Sequence, residues 1–170
     1  AKLLAVARKT GKMAEHVFRE LPALLSPGDL VVFNDAKVVN ARLRGRKTTG
    51  GKVEIFLLKR TGKVWKVLVR GNLREGNRAA IGPIEVEIGP RAPDGTHTIE
   101  FPLSDRELFA LGEVPLPPYL KRRPVAGDEA WYQTVYAARE GALAAPTAGL
   151  HFTPELIAAL EARAIETAFL

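Results

Sequence analysis

The sequence predicts an α/β protein, mixed α and β, whose α/β domain is interrupted by a small inserted antiparallel β-barrel. Helix-like and strand-like segments alternate near both ends of the 170-residue chain. Between them lie short strand-like runs separated by glycine-containing turns, which is typical of a small barrel. We therefore expect a discontinuous α/β domain over 1–39 and 117–170, and a barrel domain over 40–116.

The first segment contains a hairpin, a short helix and a strand. The runs 2–7 and 12–17 flank the turn "RKTG" with Gly11, which predicts a β-hairpin. Pro22 is placed to begin a short helix. The continuous apolar run "LVVFN" over 30–34 predicts a strand buried on both faces.

The middle of the chain supplies the barrel strands. "NARLRGRK", "KVEIFLLKR", "VWKVLVRG", "RAAIG", "PIEVEIG" and "THTIEF" are separated by glycine-containing turns, so we expect five or six short strands. "SDRELFALGE" follows as a helix with Ser104 as its N-cap.

The last third returns to mixed structure. A proline-rich crossing leads to "YQTVY", which we interpret as a short strand within 129–136. Thr153 as N-cap and Pro154 at the first helical position predict an amphipathic helix to residue 164. A final strand is expected in "AIETAFL".

Composition excludes several classes of protein. Without cysteine there is no disulfide framework, thiolate zinc site or cysteine nucleophile, and three widely separated histidines argue against a transition-metal site. No apolar run approaches the ~20 residues that span a bilayer. The net charge of +6 permits a polyanionic partner without requiring one. The chain starts and stops within strand-like runs, so we expect a piece of a longer protein.

Two basic clusters have two readings each. Arg42, Arg44 and Arg46 alternate with small or apolar residues, so a strand sends all three guanidinium groups to one face. That face is either solvated or contacts phosphate. The same alternatives apply to the second cluster, which consists of Lys121, Arg122 and Arg123.

Polar residues follow the strand at 30–34 and recur near residue 134. Asn34 and Asp35 form either an ordinary turn pair or part of a ligand site at the strand's carboxyl end. On a strand, Tyr132, Thr134 and Tyr136 share one face, which is either half-buried core or a surface that contacts a base or nucleoside.

The loop "APTAGLHF" combines Thr147, Gly149 and His151 immediately before a helix. Such loops are plain turns or aim polar groups at a ligand. The positive helix end disfavours imidazolium, so His151 is either structural or a neutral proton acceptor.

Four segments carry a specific resemblance. "SPGDLVVFNDAKVVNARLRGRKTTGGKVEIFLL", "GEVPLPPYLKR", "YQTVYA" and "GALAAPTAGLHFTPELIAALEARAIETAFL" resemble, in this order, the S-adenosylmethionine:tRNA ribosyltransferase-isomerase family of the queuosine pathway. The family's amino-terminal Arg-Asp…Ser-Arg motif and its carboxy-terminal half are absent.

The resemblance implies a cytoplasmic tRNA-modifying enzyme with an α/β domain and an inserted barrel. Its reaction transfers the ribosyl group of S-adenosylmethionine to 7-aminomethyl-7-deazaguanine at the tRNA wobble position and isomerises it to epoxyqueuosine. S-adenosylmethionine is a consumed substrate, and no cofactor or metal is implied. We expect a monomer that binds tRNA and no membrane. The alternative is an inactive fragment or an RNA-binding module.

The resemblance also suggests roles for the residues singled out above. His151 and Asp35 are the candidate catalytic residues. The candidate substrate-binding residues are Asn34, Tyr132, Thr134, Tyr136, Thr147 and Gly149. The candidate RNA-binding residues are Arg42, Arg44, Arg46, Lys121, Arg122 and Arg123.

Overall fold

A computed structural model describes residues 1–170. The chain divides into two compact units. The first unit comprises Ala1–Lys37, Ala130–Gly141 and Ala145–Leu170, and the second comprises Val38–Glu129 and Ala142–Ala144. Residues 117–129, which the sequence assigns to the α/β domain, therefore group with the second unit.

The first unit opens with the expected hairpin. Strands β1 (Lys2–Val6) and β2 (Met13–Val17) pair in antiparallel register. Gly11 has a φ of 67°, which a side chain would disfavour, so the glycine suits this turn. A 3₁₀ turn at Phe18–Glu20 then leads into the short helix α1, Leu21–Leu24.

A parallel strand pair and one helix form the rest of this unit's core. β3 (Leu30–Phe33) pairs with the last strand, β12 (Glu166–Phe169). Helix α4 (Pro154–Glu161) precedes β12, and Phe33, Leu160 and Ile165 form the buried centre. Helix α4 ends three residues before the predicted 164, because the chain tightens beyond Glu161 and Ala164 takes a left-handed φ of 55°.

The prediction that the strand at 30–34 is buried on both faces is wrong. Phe33 is buried, but Leu30 is 55% exposed and Val32 is 50% exposed. β3 has a single strand neighbour, β12, and its burial alternates along the strand. A continuous apolar run therefore does not by itself show that both faces of a strand are buried.

The prediction of a strand within 129–136 is also wrong. Helix α3 spans Asp128–Trp131, and residues 132–136 are turns. The Ala137 N–H donates to the Thr134 carbonyl at 3.2 Å, which closes one of these turns. Strand structure begins only at β11 (Arg139–Ala142), which pairs with β4 (Ala36–Val38).

The second unit contains a six-stranded antiparallel sheet. The sheet is nearly closed, because the Gly89 N–H donates to the Thr98 carbonyl at 2.8 Å beside its edge strands. The mixed α/β fold with a barrel-like sheet is thus confirmed. The strands are β5 (Arg42–Lys47), β6 (Lys52–Thr61), β7 (Val64–Arg70), β8 (Arg78–Ile81), β9 (Ile84–Glu87) and β10 (His97–Glu100). Their spatial order is β10-β7-β6-β5-β8-β9.

Alternation along these strands builds the core of the second unit. Every second residue of β6 from Val53 to Leu57 is buried, as a sheet with one covered face requires. Helix α2 (Asp105–Ala110) contributes Leu108 to the same core. Ser104 and Glu107 form the capping box at its start, which confirms the predicted N-cap.

The helices are short. The longest, α4, has eight residues, and no helix has the length and apolar character needed to cross a membrane. No group of three or more His, Asp or Glu side chains is arranged to hold a metal ion.

Candidate functional site

Three separate segments of the first unit meet around Phe33 at the end of β3. The Phe33 ring lies 4.5 Å from the ring of Tyr136 and 4.9 Å from that of Phe152, centroid to centroid. The segment after β3, the turns at 132–136 and the loop at 145–152 are therefore held together by aromatic packing. Each of these segments contains predicted site residues.

The loop at 145–152 is folded by its own backbone. The Gly149 N–H donates to the Pro146 carbonyl at 2.8 Å, and Gly149–His151 form a 3₁₀ turn. Thr153 then caps helix α4, its hydroxyl accepting from the Leu156 N–H at 3.3 Å. This confirms the predicted cap, and it fixes the loop directly against the helix start.

Gly149 lies in direct contact with two predicted substrate-binding residues. It is buried, and a Cβ built on it collides with the Tyr136 hydroxyl and lies 2.8 Å from Thr134 Cγ2. Because its φ is not in the left-handed region, glycine is required here by lack of space. Gly149, Thr134 and Tyr136 thus form one contact group.

One polar atom of this group has no hydrogen-bond partner within the protein. Thr134 is 5% exposed, and its hydroxyl is buried without a hydrogen-bond partner. Unpartnered buried hydroxyls are rare in proteins because they lose hydration without replacement. Burial also raises the pKa of Tyr136, so its hydroxyl is a protonated donor at neutral pH.

Asp35 is buried, and its two carboxylate oxygens differ in their hydrogen bonding. One carboxylate oxygen, Oδ2, accepts from Arg139 Nε at 3.0 Å, and the Asp35 carbonyl accepts from the Ala138 N–H at 2.8 Å. The other oxygen, Oδ1, is buried without a partner. Asp35 therefore ties the 138–139 backbone to the end of β3 and retains one free acceptor.

The remaining predicted residues of the first unit are less enclosed. Asn34 is exposed, and its side-chain oxygen accepts from the Ala36 N–H at 2.9 Å, which is the turn pairing expected of Asn-Asp. Thr147 is exposed and Tyr132 is half-buried. His151 is exposed at the end of the 3₁₀ turn, with its ring 5.3 Å from that of Phe18.

Only one of the three candidate RNA-binding arginines on β5 is free of an acidic partner. Arg44 pairs with Glu113 at 2.7 Å and with Glu54 at 3.3 Å, and Arg42 lies 3.8 Å from Glu54. Arg46 is exposed and pairs with no carboxylate, its nearest acceptor being the Gly50 carbonyl at 3.4 Å. The acidic partners neutralise two of the three guanidinium groups.

The second basic cluster divides in the same way. Arg122 forms two hydrogen bonds to Asp128, at 2.6 and 2.8 Å, and Asp128 is buried. The bonds from Arg122 and from the Val125 N–H lower the pKa of Asp128 to about 2. Lys121 and Arg123 are exposed and have no acidic partner. Arg122 is thus part of a local clamp.

Sequence reasoning missed two of these partners. Arg139 lies 104 residues after Asp35, so no spacing rule could connect them. Asp128 lies only six residues after Arg122, and the sequence "RRPVAGD" offered a signal, since a proline and a glycine between opposite charges favour a closed loop.

Comparison with known proteins extends over the whole chain. The family model described as queuosine biosynthesis protein matches residues 1–170. An S-adenosylmethionine:tRNA ribosyltransferase-isomerase from Thermosynechococcus vestitus is 48% identical over 181 residues, which cover 100% of this chain and 50% of that protein. The enzyme of the same name from Thermotoga petrophila is 43% identical over 173 residues, covering 99% and 51%.

A solved structure is also similar. The crystal structure of an S-adenosylmethionine tRNA ribosyltransferase from Thermotoga maritima is 32% identical and covers 99% of this chain and 49% of that one, with a TM-score of 0.39. The chain spans about half the length of the curated relatives it matches. Since the family model matches the chain from end to end, the chain belongs to the queuosine biosynthesis protein family.

Proposed function

We propose that this chain carries the S-adenosylmethionine site of a tRNA ribosyltransferase-isomerase. The reaction transfers the ribosyl group of S-adenosylmethionine to 7-aminomethyl-7-deazaguanine at the tRNA wobble position and isomerises it to epoxyqueuosine. Adenine and methionine are the leaving products. The names of the relatives and the match of the family model support this proposal.

The contact group of Gly149, Thr134 and Tyr136 is the observation that supports the location of the site. It presents a buried, unpartnered hydroxyl and a protonated phenol beside a backbone that has no side chain. A nucleoside carries ribose hydroxyls and base nitrogens that would satisfy both groups.

Asp35 serves this site through its free oxygen. Oδ1 is oriented by the bond that Oδ2 accepts from Arg139, so it is a fixed acceptor for a ribose hydroxyl. Its negative charge also favours a sulfonium cation nearby. Asp35 thereby acts on the substrate, while Arg139 positions it.

Proton transfer is the role proposed for His151. The reaction needs a base for the acidic proton beside the sulfonium and a donor for the departing adenine. His151 precedes the N-terminus of α4 and belongs to the same 3₁₀ turn as Gly149. Its exposed ring packs against Phe18, with room for a substrate to approach. Thr147, Asn34 and Tyr132 are the further residues proposed to contact the substrate.

tRNA is held by exposed cations in this proposal. Arg46, Lys121 and Arg123 have no acidic partners and are the first candidates for phosphate contacts. Arg42, Arg44 and Arg122 would exchange a carboxylate for a phosphate, which makes their contribution smaller. The protein acts as a cytoplasmic monomer and needs no cofactor besides the consumed S-adenosylmethionine.

Adenine release tests the proposal. The chain is mixed with S-adenosylmethionine and with tRNA that carries 7-aminomethyl-7-deazaguanine, and free adenine is measured by liquid chromatography. Release that requires both substrates supports catalysis by this chain. Saturable S-adenosylmethionine binding without release supports the substrate site and assigns the chemistry to additional residues.

The control reaction uses tRNA with unmodified guanine at the wobble position, which has no aminomethyl group to accept the ribosyl moiety. Binding of tRNA without any binding of S-adenosylmethionine would contradict the proposal. That result would leave the chain as an RNA-binding module.

A further inference from the structure

We propose that a cavity in the second unit, lined by Arg74, Arg91 and His97, binds a phosphate group of an RNA backbone. The inference rests on the proposed function, because tRNA is the polyanion that this function brings to the protein. None of the three residues belongs to the clusters discussed above. The cavity has a volume of about 300 Å³.

The cavity lies where two loops of the sheet converge. Asn72, Arg74 and Glu75 come from the loop between β7 and β8, and Arg91 and Gly95 come from the loop between β9 and β10. His97, the first residue of β10, completes the lining. Two arginines therefore line one concave surface, beside a buried histidine.

The two arginines are free of acidic partners. Neither Arg74 nor Arg91 has a carboxylate within ion-pair distance, and both are exposed. Six other arginines of the second unit do pair with a carboxylate. The arginines with acidic partners are Arg42, Arg44, Arg60, Arg70, Arg78 and Arg122.

Both loops are held by their own hydrogen bonds. The Arg74 N–H donates to Asn77 Oδ1 at 3.0 Å, and the Asn77 N–H donates to the Arg74 carbonyl at 3.1 Å. In the second loop, the Gly95 N–H donates to the Ala92 carbonyl at 2.9 Å. A fixed backbone reduces the entropy lost on binding, which favours recognition over a random surface contact.

His97 ties the second loop to the sheet. The ring is 6% exposed, and Nδ1 lies 3.0 Å from the Gly89 carbonyl oxygen. Because a carbonyl only accepts, Nδ1 is the donor, and the bond fixes the imidazole plane. Arg91 also pairs with His97 in a backbone bridge, so its guanidinium extends from an anchored residue.

A neighbouring cavity favours a polyanion over a single phosphate. It has a volume of about 330 Å³, shares Leu73 with the first cavity, and presents Lys47, Thr48 and Thr49. Lys47 has no acidic partner, and its amine donates to the Asn72 carbonyl at 2.9 Å. Two cavities that share a lining residue and carry cationic and hydroxyl donors suit a strand with several phosphates.

Glu75 offers a test variant that should change tRNA affinity in the opposite direction. It is the only carboxylate among the residues that line the first cavity, and it is exposed without a cationic partner. Its negative charge opposes that of the two arginines. Replacing it with glutamine removes the repulsion felt by a phosphate while keeping the side chain's size, so binding should strengthen.

The test measures tRNA affinity by fluorescence anisotropy over a range of salt concentrations. The double variant R74A/R91A should bind tRNA on the order of tenfold more weakly at moderate salt, and its salt slope should be smaller by about 1 to 2. Glu75→Gln should tighten binding. The charge-matched control K63A/R106A removes two exposed cations elsewhere on the second unit and should change affinity by less than about twofold.

Three results would overturn the inference. The first is a double variant that binds like K63A/R106A, and the second is no gain with Glu75→Gln. The third is micromolar binding of inorganic phosphate that depends on Arg74 and Arg91 while tRNA affinity does not. S-adenosylmethionine binding is measured on every variant. Its absence from the wild type would contradict the proposed function and leave the RNA result standing by itself.

Discussion

At the scale of single residues, the Gly149 Cα lies so close to two polar side chains that one methyl group cannot be added without moving one of them. The Tyr136 hydroxyl and Thr134 Cγ2 occupy the space that a Cβ would need. The Thr134 hydroxyl has no partner in the protein. An unsatisfied polar group in a tightly packed place costs stability, and a ligand that pairs with it recovers that cost.

Thr134→Val should therefore have opposite effects on stability and on binding. Valine has the shape of threonine without the hydroxyl, so the unliganded protein should gain roughly 1 kcal/mol in the free energy of unfolding. S-adenosylmethionine should bind roughly fivefold more weakly, because the ligand loses a hydrogen bond. Urea denaturation measures the first effect, and isothermal titration calorimetry measures the second.

Thr167→Val is the matched control. Thr167 is a half-buried threonine on β12 in the same unit, and its hydroxyl is not among the buried unpartnered groups. The same substitution there should leave S-adenosylmethionine affinity unchanged. A Thr134→Val protein that is destabilised, or that binds S-adenosylmethionine as the wild type does, would remove Thr134 from the site.

The sequence predicted single residues as candidates for the site, but it did not predict the residues that contact them. The pattern around Asn34 and Asp35 left a turn and a ligand site open, and the structure contains the turn at Asn34 while leaving Asp35 Oδ1 unpaired. The partner of Asp35, Arg139, could not be found, because contacts between distant segments depend on the tertiary fold. The roles of these side chains stay predictions.

At the scale of elements, the segment that follows the 3₁₀ turn at Pro118–Leu120 is closed by one ion pair. Arg122 donates two hydrogen bonds to the buried Asp128, and the Val125 N–H donates a third at 2.7 Å. These bonds lower the pKa of Asp128 to about 2. A carboxyl group whose pKa is lowered by folding stabilises the fold above its unfolded pKa of about 3.9 and loses that effect as pH falls toward the folded value.

Arg122→Ala should therefore destabilise the protein in a pH-dependent way. Above about pH 4 the difference in free energy of unfolding between wild type and variant should be constant. Between about pH 4 and the folded pKa of about 2, the difference should shrink, because protonated Asp128 no longer attracts the guanidinium. Urea denaturation at a series of pH values measures it.

Arg123→Ala is the neighbouring control for this clamp. Arg123 is exposed and pairs with no carboxylate, so its removal should change the free energy of unfolding little at any pH. The contradicting result is a difference in free energy of unfolding between wild type and Arg122→Ala that keeps the same size down to pH 2. That result would show that the Arg122–Asp128 pair does not hold the segment.

Elements whose hydrophobic residues recur at a regular spacing were predicted better than elements without such a pattern. The barrel strands β6, β7, β8 and β10 alternate between more buried and more exposed residues, and both helix caps carry the expected side chains. "YQTVY" also alternates, yet it forms turns after α3, because a five-residue pattern is short enough to fit several local structures. The apolar run at β3 could not reveal how many neighbours the strand would have.

At the scale of the whole molecule, the two units carry different parts of the proposed function. The first unit contains the contact group of Thr134, Tyr136 and Gly149 together with Asp35 and His151. The second unit contains the exposed cations proposed to meet RNA. Composition alone, with its net charge of +6, permitted an RNA partner and could not locate it. The family was recognised from long sequence motifs, which local rules for helices, strands and turns do not predict.

Titration of the chain with S-adenosylmethionine, followed by ¹H–¹⁵N correlation spectra, tests the central claim most directly. Saturable shifts should centre on the amides of Thr134, Tyr136 and Gly149, with Asp35 also affected, and Gly149→Ala should weaken or abolish them. Absence of saturable shifts, or shifts confined to the second unit, would contradict the claim that the first unit holds the S-adenosylmethionine site.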